Sequence, residues 1–579
     1  MIKAENLSFS FPDKDLYNNI SFTLEDGEHC AFIGTSGSGK STLIDIIMDP
    51  ERYMFDGKLD IDSNCRIGYV SQFSQLDSSK DITVFDYIGE EFIRLQNKIT
   101  AICTEMETSS DIEALLEQYQ QTLDAYNAIG GDDFESNINK KLSLASLSKH
   151  ENLMVSKLSG GEFKLVQVIK EMLTSPELMI MDEPDAFLDF ENMNSLKNLI
   201  NAHKGTMLVI THNRYLLNHC FNKILHLENK ELQEFNGRYI AYNYELLQNK
   251  IELQELAAID EEEIKRNEAI VDKLRAVATV FTDAARGKSL KARVSLLERL
   301  EARKIKAPFV EIKQPEINLV TDHEIKEGIV LKVNNYSAAF EDTLLEQVNF
   351  EINATDKVAL IGANGTGKTT LLRDIYKNNN PAIEISEDTK VALLSQLQSE
   401  MLHEGNTVLE EFFEAGYKTS DEIKSLILDY GFDESVLHQK IESLSGGEKN
   451  ILQLAKVSTS HANLLLLDEP TSHLDTYSQI ALENAIKEYN GAVLMISHDF
   501  YTIVNCVDYV LMIEDKTIRK MSMRKFRKMI YANHFNKDYL EIEQKKNEVE
   551  NKITLALKNM DFESAKVLSQ ELEELIKLL

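Results

Sequence analysis

Six unbroken runs of four apolar residues punctuate the chain. They are Cys30–Ile33, Leu178–Met181 and Met207–Ile210 in the first half, and Val358–Ile361, Leu464–Leu467 and Val493–Ile496 in the second. Such runs predict buried strands. Elsewhere apolar positions recur at helical spacing. Ile112, Leu115, Leu116, Tyr119 and Leu123 predict helix within an insertion of roughly Phe85 to Gly130 that closes at Gly130-Gly131. From Tyr242 to Glu327 lies a stretch that belongs to neither half. Within it Ile264, Val271, Leu274 and Ala278 mark one apolar stripe, and Leu290, Val294 and Leu297, flanked by Leu296 and Leu300, mark another. Only Gly287, and no proline, interrupts Arg238 to Ala307. This predicts two long helices that turn near Gly287 and pair as an antiparallel hairpin. The tail predicts a smaller hairpin: Ile542, Val549 and Ile553, then Ala565, Leu568, Leu572 and Leu575, broken near Asn559-Met560-Asp561.

The ends of the buried runs carry the chemistry. Cys30–Ile33 leads into Gly34-Thr35-Ser36-Gly37-Ser38-Gly39-Lys40-Ser41 and then a helical pattern from Thr42 to Met48. Val358–Ile361 leads into Gly362-Ala363-Asn364-Gly365-Thr366-Gly367-Lys368-Thr369, followed by Thr370. Glycines let backbone N–H groups converge on phosphate oxygens at a helix N-terminus. The lysine adds a full positive charge, and the hydroxyl of Ser41 or Thr369 can ligate Mg²⁺. The second run of each half ends at Asp182-Glu183 and Asp468-Glu469. The first acid of each pair can hold Mg²⁺ through its water shell, and the second can polarise an attacking water. After the third runs stand His212 and His498, catalytic candidates by that placement. Leu158-Ser159-Gly160-Gly161-Glu162 recurs as Leu444-Ser445-Gly446-Gly447-Glu448. The pairs Ser159/Ser445, Asp182/Asp468 and His212/His498 share an offset of 286, whereas Lys40/Lys368 differ by 328. One frame for three motifs marks a duplication, with about 42 extra residues in the first half.

A chain of 579 residues, 43% hydrophobic and 27% charged, fits several globular domains rather than disorder. Five scattered cysteines form no CxxC pair and predict a reducing compartment without disulfides or zinc. The N-terminus has no apolar signal core and no apolar run reaches membrane-spanning length, so the expectation is a cytoplasmic protein with no membrane contact. Charge singles out the central stretch. The chain holds 95 acidic against 62 basic side chains, net −33, yet Lys265 to Lys306 holds twelve basic against five acidic, net +7. A solvated coiled coil is one reading; a polyanionic partner touched locally explains a basic arm on an acidic protein better. Lys516 to Lys528, with seven basic residues and no acid, leaves a solvated face and an RNA contact equally open.

These paired motifs resemble the ATP-binding cassette superfamily, and two cassettes joined by a charged helical hairpin resemble its ABC-F family. The resemblance implies an α/β fold: two P-loop cassette domains (1–240 and 328–533), a long α-helical hairpin linker (241–327) and a short C-terminal helical hairpin (534–579). The first cassette would carry an enlarged helical subdomain at about 85–150. It implies an ATPase using ATP and Mg²⁺, with Phe11 and Phe340 stacking on adenine. Gln72 and Gln396 would sense Mg²⁺ and the attacking water. The cassettes would close head to tail within a monomer, so that Ser159, Gly160 and Gly161 complete the site of Lys368, and Ser445, Gly446 and Gly447 that of Lys40. Family partners imply the ribosome, with the linker in the tRNA exit site beside P-site tRNA, in general translation or antibiotic resistance. The apolar tip Ala276–Thr282 does not choose between those roles. A transporter motor or a DNA-repair ATPase would share the cassette chemistry; the former has no use for a basic hairpin. One departure stands out. The family's Thr-Asn-His-Leu-Asp after Asp-Glu-Pro is nearly kept at Thr471-Ser472-His473-Leu474-Asp475, but the first half has Asp185-Ala186-Phe187-Leu188-Asp189. With Phe187 near Glu183, the first site is expected to hydrolyse more slowly and act as a clamp.

Overall fold

The computed structural model describes residues 2–11, 15–62, 65–72, 82–107, 112–186, 188–278, 294, 315–321, 328–339, 343–534 and 539–578. Phe187, Phe340, Gly287, the tip beyond Ala278 and nearly all of the expected second linker helix lie outside the described residues. By contacts the chain falls into two compact units, Met1–Asn236 with Lys313–Ile530, and Gly237–Ile312 with Tyr531–Leu579.

The first unit contains two α/β sheets of the same design. One runs in the order Ile67–Val70, Leu178–Asp182, Thr206–Ile210, His29–Ile33, Lys223–Glu228, Glu231–Asn236; only the last pairing is antiparallel. The other runs Val391–Leu394, Leu464–Asp468, Ala492–Ile496, Lys357–Ile361, Tyr509–Glu514, Thr517–Ser522, with the same antiparallel edge. All six apolar runs are thus parallel strands buried on both faces. Beneath the first sheet, Cys30, Phe32, Ile180, Leu208 and Leu225 pack on Leu43, Ile44 and Ile47 of the helix Lys40–Met48. The same arrangement in the second brings Val358, Leu360, Leu466 and Leu494 against Leu371, Leu372 and Ile375. At about 1.5–3 kcal/mol for each fully buried side chain, this packing fixes where the strands end. A three-stranded antiparallel sheet accompanies each: Asp15–Leu24, Ile2–Ser10, Asp56–Ile61 and Thr343–Asn353, Ile329–Ala339, Ile383–Ile385. The insertion of the first half is helical, with Glu90–Met106, Ile112–Ala128 and Phe134–Leu144.

In the second unit a helix of 40 residues, Tyr239–Ala278, is the first linker helix. The tail forms Tyr539–Lys558 and Phe562–Leu578, turning at Asn559–Asp561. Ile251 of the long helix clusters with Val549, Ile553, Ala565 and Leu572. Lys566 pairs with Glu255 at 2.6 Å, and Gln248 donates to Ser569 at 3.0 Å.

Candidate active sites at the cassette boundary

Both glycine-rich loops follow a central strand and open a helix. Lys40 curls back so that Nζ donates to the carbonyls of Gly34 and Thr35, both at 2.9 Å; Lys368 does the same to Gly362 and Ala363, both at 2.8 Å. Gly39 and Gly367 precede these helices with φ of 104° and 92°, a region that disfavours any side chain. Tyr17 donates to the Gly39 carbonyl, a loop contact not foreseen from sequence. Thr35 turns aside, its N–H and Oγ1 donating to Glu228 at 3.2 and 3.1 Å.

Asp182 and Asp468 end their strands beside the loop hydroxyls. Ser41 Oγ donates to Asp182 Oδ2 at 2.9 Å. Burial pushes Asp182 up to about 6 and raises Asp468, while Ser41 and Thr369 hydrogen bonds oppose the rise. Asp468 Oδ1 is buried without a hydrogen-bond partner among the described residues. A hydroxyl beside a carboxylate with spare acceptor capacity is the hard-oxygen set that fits Mg²⁺.

The next residues, Glu183 and Glu469, sit in left-handed backbone, φ 44° and 50°, held by N–H bonds of 2.9 Å to the carbonyls of Ile210 and Ile496. Their surroundings differ. Gln72 Nε2 donates to Glu183 Oε2 at 2.6 Å, and His473 Nδ1 meets the same oxygen at 3.0 Å. Burial would raise the Glu183 carboxyl, but the His473 hydrogen bond and the charges of His473, His212 and Lys40 outweigh it and hold it down at about 2. Among the described residues Glu469 accepts a hydrogen bond only from the His498 N–H, at 3.3 Å, with His498 Nε2 3.5 Å from its other oxygen. Burial and the neighbouring Asp468 push Glu469 up to about 8. Burial also holds both imidazoles below the usual histidine range, His212 at about 4 and His498 at about 3.

Each Ser-Gly-Gly-Glu segment starts a helix, Gly160–Leu173 or Gly446–Ser458. Ser159 and Ser445 accept from the N–H of Glu162 and Glu448 at 3.3 Å, and those glutamates accept the serine N–H in return at 2.8 Å. The S-x-x-E spacing at Ser159 and Ser445 is the sequence signal of this capping box. The glycine N–H groups thus open a helix, the end that favours anions.

Each segment faces the glycine-rich loop of the other cassette. The Ser36 N–H donates to Asp475 Oδ2 and the Asn364 N–H to Asp189 Oδ2, both at 3.3 Å. A Cβ on Gly447 would lie 2.3 Å from Ser36 Oγ and 2.5 Å from the His473 carbonyl oxygen, and the fixed carbonyl leaves room only for glycine. A cavity of about 660 Å³ is lined from both cassettes, by Ser159, Gly160 and Gly161 on one side and Lys368, Thr369 and Gln396 on the other. Gln398, also missed from sequence, donates to the Gly446 carbonyl at 2.8 Å. Phe11 stands 43% exposed, its ring in a T-shaped contact with Phe9 at 5.1 Å between centroids.

Comparison with known proteins agrees with this geometry. A family profile described as ABC transporter matches residues 17–186 and 345–472, and a second of the same description matches 225–319. The chain is 30% identical over 522 residues to an uncharacterized ABC transporter ATP-binding protein, YfmM, of Bacillus subtilis, covering 86% of this chain and 96% of that one. ABC transporter F family member 5 of Arabidopsis thaliana is 28% identical, over 89% of this chain and 75% of its own. The chain belongs to the ABC-F family. The energy-dependent translational throttle protein EttA of Escherichia coli is 27% identical, over 87% of this chain and 90% of its own. An archaeal ribosome recycling factor, aABCE1, shares the fold at TM-score 0.52 and 16% identity, over 91% of this chain and 92% of its own. As an ABC-F protein the chain is an ATPase. No described helix is long and apolar enough to cross a membrane.

Proposed function

We propose that this ABC-F ATPase closes its two cassettes on two ATP molecules and in that state binds the ribosome in the cytoplasm. Its linker then enters the tRNA exit site and acts on P-site tRNA or the peptidyl-transferase centre. The observation that carries the reading is the pairing of each glycine-rich loop with the opposite Ser-Gly-Gly segment. Groups from both cassettes surround one phosphate chain, so ATP bridges them and hydrolysis releases the bridge. Lys40 and Lys368 bind the phosphates; Ser445, Gly446 and Gly447, or Ser159, Gly160 and Gly161, complete the γ-phosphate shell. Ser41, Gln72 and Asp182, and their counterparts Thr369, Gln396 and Asp468, would hold Mg²⁺ at each site, where it would supply positive charge against the phosphates. Glu183 and Glu469 take the proton of the attacking water, and His212 and His498 orient it beside them. Phe11, and Phe340 by its place in sequence, stack on adenine.

The linker reading is supported by the +7 charge of Lys265 to Lys306 on a chain of net −33, and by a helix of 40 residues, about 60 Å of reach at 1.5 Å per residue. A translational name among its relatives points the same way. Sedimentation with ribosomes tests it. Binding is expected with a non-hydrolysable ATP analogue and with the Glu183→Gln, Glu469→Gln double variant, whose turnover falls about 10²–10⁴-fold. Replacing Arg286, Lys288, Lys291 and Arg293 by Gln weakens binding and flattens its salt dependence, by roughly one unit of slope per lost phosphate contact. A rise in drug tolerance on expression marks a resistance factor; relief of stalled translation without it marks a general factor. Ribosome binding that ignores nucleotide and all four replacements overturns the reading.

A further inference from the structure

The Glu183 site draws on the second cassette for more than phosphate ligands. His473 belongs to the loop after Asp468-Glu469, yet its Nδ1 lies 3.0 Å from Glu183 Oε2 and 3.2 Å from Gln72 Nε2, both of the first cassette. Three supports converge on this point. The His473 carbonyl accepts from Ser36 Oγ of the opposite glycine-rich loop at 3.2 Å. Asn450 Nδ2 donates to the carbonyls of Pro470 and Ser472, at 3.1 and 2.8 Å, holding the loop from behind. From the first cassette, Lys164 Nζ donates to the carbonyls of Ser71 and Gln72, the latter at 3.1 Å, and so holds the glutamine.

The other site is built differently. At the 286-residue offset, the counterpart of His473 is Phe187, which has no ring nitrogen to offer, and the counterpart of Asn450 is Lys164. Lys164 grips the Gln72 segment instead of bracing its own loop. Among the described residues Glu469 accepts a hydrogen bond only from the backbone of His498 in its own cassette. The reciprocal contacts of Asp475 and Asp189 put each loop at the opposite site. By its place in that loop, the departure at Phe187 bears on Glu469 rather than on Glu183.

We propose that His473 is a positioning residue acting across the cassette boundary: with Gln72 it occupies one oxygen of Glu183 and leaves the other aimed at the water. The Glu183 site then works only while the second cassette is seated, whereas the Glu469 site lacks this brace and turns over more slowly. The proposal rests on the reading of Glu183 and Glu469 as the water-activating residues, and deepens it.

Single-site backgrounds of the full chain test it. In Glu469→Gln protein, where the Glu183 site alone turns over, His473→Phe is expected to lower kcat roughly tenfold, the scale of a hydrogen bond to a charged group, with KM for ATP within about twofold. His473→Gln, which keeps a donor, restores most of that loss. In Glu183→Gln protein the same His473→Phe change alters kcat less than about twofold. An equal fall in both backgrounds, no fall in the first, or a fall confined to KM overturns the proposal and leaves the carboxylate reading standing. Full turnover by the Glu183→Gln, Glu469→Gln double variant overturns both.

Discussion

Two carboxylates one residue beyond a strand end show how environment separates like side chains. Their left-handed backbone costs about 1–3 kcal/mol each and persists because the flanking strands over-determine it. Glu183 is held well below the ordinary range, so its ionised form stabilises the fold; that contribution is present above about 4.5 and is lost as pH falls toward about 2. Glu469 is raised to about 8, so the folded state retains a proton the unfolded chain has released, and stability falls as pH rises from about 4.5 to about 8. In nucleotide-free protein at pH 8 the two substitutions therefore have opposite signs. Glu183→Gln lowers the unfolding midpoint, and Glu469→Gln raises it; denaturant titration at pH 5 and pH 8 measures both, the Glu469→Gln gain growing with pH. The identity of these acids was legible, because phosphate and metal chemistry admits few residue types at that spacing. Their inequality was not, because it depends on His473, 290 positions along the chain.

At the scale of elements, the chain was most readable where one period ran uninterrupted. The apolar runs became strands, and the first part of the breaker-free stretch, as far as Ala278, became a long helix. The tail's heptad-like spacing became two helices. Which surface the tail covers could not be read, since a stripe names no partner. It covers the base of the long helix: Ile553 and Leu572 are fully buried in one cluster with Ile251. Leu572→Ala is expected to cost about 2–5 kcal/mol of local stability. Hydrogen exchange should then quicken in residues 244–255 and 549–572 together, while ATP turnover holds. If only the tail loosened, the cluster would not be a support for the linker helix.

Across the whole first unit the cassettes are also joined by an ion-paired seam that lacks a symmetric twin. Arg214, two residues past His212, meets Glu483 and Asp499 of the second cassette, the latter at 3.0 Å, and lies over the ring of Tyr501. The counterparts at the 286 offset are Phe500, Lys197 and Asn213, which cannot repeat it. Arg214→Ala strands a buried Glu483, a loss of about 3–5 kcal/mol, and calorimetry should resolve one unfolding transition into two. Because both partners of every boundary contact are carried on one chain, each cassette meets the other at a concentration fixed by the tether and independent of protein abundance. Turnover per molecule should thus be unchanged on dilution, and half-saturation should follow nucleotide supply alone. A cell holding a handful of copies would command the same response from each as a cell holding thousands.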